Sequence, residues 1–118
     1  MDLAAKLQIK PGTQVAVVAR PAGGPDLSGL GQPASDPAQA GAVIAFARQH
    51  ADLTGPASPA IDAARDDRLA WIAYPKAGQL GTDINRDSLA AAVAELGARP
   101  VRQVSLDEVW SALRFRPA

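Results

Sequence analysis

Three short apolar runs punctuate the chain: Val15–Ala19 in "TQVAVVAR", Ala42–Phe46 in "AVIAF", and Leu69–Tyr74 in "LAWIAYPKAG". None alternates with polar residues, and all are too short for independent helices. Each therefore reads as a strand buried on both faces of a sheet. Pro75 ends the third run because it has no N–H to continue a ladder. Helical spacing appears in three other places. Asp2–Gln8 sets Leu3 and Leu7 one turn apart. Pro59–Ala64 follows Ser58, which reads as an N-cap with Pro59 at the first helical position. "GTDINRDSLAAAVAELGARP" carries the stripe Leu89, Val93 and Leu96, with Thr82 or Asp83 as cap and Gly97 as stop.

The segment "PVRQVSLDEVWSALRFRP" predicts two strands around Leu106-Asp107-Glu108. In the second, Val109, Ser111, Leu113 and Phe115 alternate with Trp110, Ala112, Arg114 and Arg116. Residues 21–41, rich in Pro, Gly and Ser, read as a long loop with at most a helical turn. Apolar strands separated by helical or long connections call for a parallel sheet with both faces covered. The last two strands are joined too closely for a parallel crossover and must pair antiparallel. The expectation is one domain over residues 1–118: α/β, a small three-layer Rossmann-like sheet, mostly parallel, ending in an antiparallel hairpin.

Composition narrows the function classes. Twelve basic and twelve acidic residues cancel, and no basic stripe marks a nucleic-acid binder. Without cysteine there are no disulfides, thiolate metal sites or cysteine nucleophiles, and one histidine among scattered carboxylates makes no metal site. No apolar run approaches the roughly 20 residues that span a bilayer, and the opening "MDLAAKLQIKPG" lacks a signal-peptide core. A cytoplasmic location is expected, with no membrane partner.

"KPGTQVAVVA", "AVIAF", "DRLAWIAYPKAG" and "VSLDEVWSALRFRP" together resemble a family of small uncharacterised bacterial proteins. That family is similar in turn to the Rossmann-type methyltransferases, whose sheet also ends in a reversed strand. The likeness is closest from Leu69 to Pro117, in "WIAYPK", "DINRDSL" and "WSALRF". It implies a fold and carries no activity. A methyltransferase site needs a glycine-rich turn after the first strand and an acid ending the second. Here Gly23-Gly24 precedes Pro25 without the expected glycine spacing, and only Asp36 could stand in for the acid. No cofactor is expected.

Ligands of open parallel sheets bind outside the carboxyl ends of the strands. Arg20 leaves the first strand there, Arg48 and His50 the second, and Lys76 the third. Together they form a candidate rim for an anion, with the loop at Gly23 and Gly24 closing over it. A hydrolytic triad through His50 would have to draw on residues such as Ser58 and Asp52, with no nucleophile elbow to support it. Trp71 is expected in the core under a helix with its indole N–H bonded. Trp110 shares a strand face with Arg114 and Arg116 and is a candidate interaction surface, unless a helix covers it. The leading expectation is a non-catalytic domain acting through protein contact or as a homodimer. The alternative is a binder of, or enzyme on, a small anionic ligand. A concave apolar cleft at the strand ends would favour the second.

Overall fold

The computed structural model describes residues 2–118, and its central strands coincide with the apolar runs. β1 (Gln14–Val18), β2 (Gln32–Pro33), β3 (Ala42–Phe46), β4 (Leu69–Pro75), β5 (Ala98–Ser105) and β6 (Trp110–Pro117) form one sheet in the order β2-β1-β3-β4-β6-β5. β2, β1, β3 and β4 pair in parallel. β6 opposes both β4 and β5, so β5 points the same way as the first four strands and β6 alone is reversed. The molecule is mixed α/β with a mostly parallel sheet. Among the described residues, no helix is long and apolar enough to cross a membrane.

The pleat divides the core. Val43 and Ala45 of β3, Ile72 and Tyr74 of β4, and Leu113 and Phe115 of β6 share a cluster with Ala60, Ile61 and Ala64 of α2 (Ser58–Arg65) and Leu89 and Val93 of α3 (Arg86–Ala94). Ile44, Phe46, Trp71, Ala73, Trp110 and Ala112 belong to a second cluster with Leu7, Ile9, Leu27 and Leu30. Trp71 is fully buried, and its indole N–H donates to the Leu7 carbonyl at 3.0 Å. That carbonyl lies at the end of α1 (Leu3–Lys6), a single turn capped by Asp2.

Four local expectations are corrected. The loop over residues 21–41 contains β2, held to β1 by Gln32 N–H on the Thr13 carbonyl and Ala34 N–H on the Val15 carbonyl, both 2.9 Å. Two residues carry no periodicity, so composition could not reveal it. Helix α1 stops at Lys6 rather than Gln8, whose φ of +62° leaves the helical region. The N-cap of α2 is Ala57, and Ser58 is already helical with Pro59 behind it. A 3-10 helix, His50–Thr54, leads into α2, and the Ala57 N–H bonds to the Asp52 carbonyl at 2.9 Å. α3 is capped by Asn85, whose Oδ1 accepts from Ser88 N–H at 2.8 Å while Ser88 Oγ accepts from Asn85 N–H at 2.9 Å. Thr82 and Asp83 are committed elsewhere. Thr82 Oγ1 accepts from Ile84 N–H and donates to the Arg48 carbonyl, and Asp83 holds His50.

Candidate functional site

Strand order reverses between β1 and β3. The chain runs from β1 outward to β2 and then returns to the other side of β1. Just beyond the carboxyl ends of these two strands lies a cavity of about 350 Å³. One wall is the Ala19–Gly24 loop. Phe46, Trp110 and Val109 also line the cavity, with Pro56 and Leu80. Phe46 and Trp110 meet edge to face, ring centroids 5.1 Å apart at 77°. Two lining residues, Ala19 (φ +60°) and Leu80 (φ +55°), hold the left-handed backbone region that side chains disfavour. Gly23 occupies it without that cost at φ +76°.

Three charged side chains reach this crevice: Arg48, Asp52 and Asp107. Each carboxylate is fixed by backbone amides on one oxygen. Asp52 Oδ2 accepts from Arg48 N–H at 3.0 Å and Gln49 N–H at 3.1 Å. Asp107 Oδ1 accepts from Val109 N–H at 2.8 Å and Trp110 N–H at 2.7 Å. The other oxygen of each carboxylate has no protein partner among the described residues. Neither has the Arg48 guanidinium, which is exposed. The crevice thus offers apolar walls, one free cation and two anchored acceptors.

The four residues expected on one rim are not brought together. Arg48 lines the crevice with Gly23 and Gly24. Arg20 turns back into its own loop, donating through Nε to the Pro25 carbonyl at 2.8 Å and through Nη2 to the Gly24 carbonyl at 2.7 Å. It borders a separate cavity beneath Leu27 and Leu30. Lys76 donates to Ser105 Oγ at 2.9 Å and lines a groove on the other face of the sheet. That groove shares no residue with the crevice, so the glycine loop does not close over Lys76. Asp36, beyond the end of β2, accepts from Ala38 N–H at 2.9 Å and does not line the crevice.

His50 joins neither site. Its Nδ1 lies 3.2 Å from Asp83 Oδ1 and its Nε2 3.1 Å from Ser88 Oγ. With the proton on Nδ1, Nε2 accepts from the serine hydroxyl, which is the proton arrangement of a Ser-His-Asp triad. Ser58 and Asp52 take no part in it. Ser88 Oγ is also the acceptor that closes the Asn85 cap, and none of the three residues lines the crevice. The contacts tie the segment after β3 to the start of α3.

The Trp110, Arg114 and Arg116 surface is likewise corrected. Trp110 is 4% exposed, because Phe46 and the second core cluster cover it. Arg114 is half-buried and donates to Gln8 Oε1. Burial and the neighbouring Arg116 charge push its pKa down. Arg116 pairs with Asp67 through two contacts of 3.2 and 3.3 Å. Trp110 and Arg116 stand about 20 Å apart along β6 at the usual strand rise. Sequence reasoning singled out Arg48 and the glycines, named Trp110 and Asp52 only in other roles, and missed Phe46, Leu80 and Asp107. An aromatic ending a buried run was the available signal for Phe46. Comparison with family models and with curated proteins finds no match to this sequence.

Proposed function

We propose that the chain is a small three-layer Rossmann-like domain whose carboxyl-edge crevice binds a small anionic ligand. The ligand has a flat apolar body, one anionic group for Arg48, and a hydroxyl or amino donor for Asp52 or Asp107. The observation that carries this reading is the cavity at the switch point between β1 and β3, where ligands of open α/β sheets gather. Its volume lies within the usual range for small-molecule sites of roughly 300–1,000 Å³. A single reversed strand, β6 beside β4, supports a methyltransferase-like scaffold. The dislocated Asp36 and the glycine spacing argue against that family's cofactor. Contact through Trp110 loses its main support with the ring buried.

The test is a thermal-shift screen of carboxylates, nucleotides, S-adenosyl compounds and acyl-thioesters, followed by tryptophan fluorescence. A ligand at a hundredfold excess over its dissociation constant stabilises the native state by about 2.7 kcal/mol. Ligand in the crevice must also change Trp110 emission, and Arg48→Gln must weaken binding. A hit whose affinity is indifferent to Arg48 refutes the assignment.

A further inference from the structure

The groove that takes Lys76 has its own chemistry. It lies at the carboxyl end of β4 on the face covered by α3, with a volume of about 530 Å³. Tyr74 and Ser111 line it although they are only 2% and 5% exposed, so two hydroxyls sit at its base. Gln103 Nε2 donates to Tyr74 Oη at 3.1 Å, which leaves the phenolic hydrogen to donate in turn. Burial pushes the Tyr74 pKa up, against the opposing charge of Arg86, so the phenol keeps that hydrogen at neutral pH.

Two cations stand above this base. The Lys76 ammonium has one bond, to Ser105, out of three donors. Arg86, in the first turn of α3, touches only Asp87 at 3.4 Å, and both members of that pair are largely in water. Most of the Arg86 fork is therefore uncommitted. The groove is lined by donors with Asp87 as its one charged acceptor, the converse of the crevice.

We infer that the Tyr74–Lys76–Arg86 groove is a second binding site, for a phosphate group. A tetrahedral anion with several acceptor oxygens can take the guanidinium, the ammonium and the phenol together. A carboxylate has only two oxygens to share among them. Inorganic phosphate and a phosphate monoester present the same group and differ in the body attached to it.

Amide chemical shifts followed during titration with inorganic phosphate or glycerol phosphate, against chloride at matched ionic strength, test the site. Saturable shifts at Asp87, Gln103 and Ser111 are expected, with a dissociation constant of about 1 mM or tighter. Tighter binding of glycerol phosphate identifies an ester as the ligand, and equal binding identifies phosphate alone. Lys76→Gln and Arg86→Gln should each weaken binding about tenfold or more, while Arg48→Gln leaves it unchanged. Neither side chain is buried, and amide shifts that stay native away from the groove check that each variant is folded. Shifts that chloride reproduces, or unchanged affinity in either groove variant, overturn the inference whatever the fate of the crevice.

Discussion

Trp110 meets Phe46 edge to face in the lining of the crevice, so one aromatic pair both packs into the core between β3 and β6 and forms a surface a ligand would touch. Trp110→Ala should cost about 3–5 kcal/mol, as large aromatic truncations do. Trp110→Phe should keep the fold and remove the fluorescence response to crevice ligands. Denaturant unfolding and emission spectra read the two effects separately.

Arg48 and Arg20 should behave oppositely. Arg48→Gln removes a charge with no protein partner, so stability should move by less than about 0.5 kcal/mol while ligand affinity falls about tenfold, or 1.4 kcal/mol. Arg20→Ala releases two carbonyls of the glycine loop and should cost about 1 kcal/mol. Its effect on affinity should come through loosening of Gly24 rather than loss of charge. Titration calorimetry at two salt concentrations distinguishes them, because only the Arg48 change should flatten the salt dependence.

Tyr74 is the single tyrosine, so its ionisation can be followed directly by tyrosinate absorbance. Its native pKa is raised above the ordinary 10.0 by burial. Between those values the unfolded chain has lost the proton and the native protein keeps it, so native stability falls as pH rises above about 10. Below that range both states are protonated and the residue adds no pH dependence. Tyr74→Phe should remove its contribution to the decline in an unfolding series taken across this range.

Ala19 keeps φ at +60° at the lip of the crevice. Ala19→Gly should relieve that strain and raise stability by about 0.5–1 kcal/mol, read as an increase in thermal midpoint. The same change should lower crevice affinity, because a freer lip must be ordered on binding.

Gly31 brings β2 against β1 so closely that a Cβ there would stand 2.4 Å from the Thr13 carbonyl oxygen and 2.9 Å from Val15 Cγ2. Gly31→Ala should cost about 1–3 kcal/mol by forcing the strands apart. Loss of amide-exchange protection at Gln32 and Ala34 would locate the damage.

What the chain revealed before folding depends on the range of the signal. β1, β3 and β4 were legible because burial on both faces requires uninterrupted apolar residues, and β6 because its hairpin pattern is local. β2 was hidden because its two residues are held by backbone bonds to Thr13 and Val15 rather than by pattern. The caps of α2 and α3 were misassigned because Ser58 and Thr82 have the right chemistry while position is set by how neighbouring turns enter. Charges at strand ends marked the edge of the sheet where the crevice lies. They could not say that Arg20 would fold into its loop, or that Lys76 would pass to the opposite face. Asp107 and the place of Asp52 in the crevice were unreadable because both follow from backbone amides gathered by turns.

The two outer strands have a consequence for how the molecule meets its own copies. An unpaired strand edge is a template on which another chain can extend the sheet. On one side that template is two residues long and ends in Pro33. On the other, β5 offers eight residues, but Pro100 lacks a donor, the register slips between Pro100 and Arg102, and Arg99 and Arg102 place charge along it. Brevity guards one flank, and a broken, cationic ladder guards the other. Pro100→Val would return one donor to this edge but leave the register slip and both arginines in place, so the flank should stay guarded.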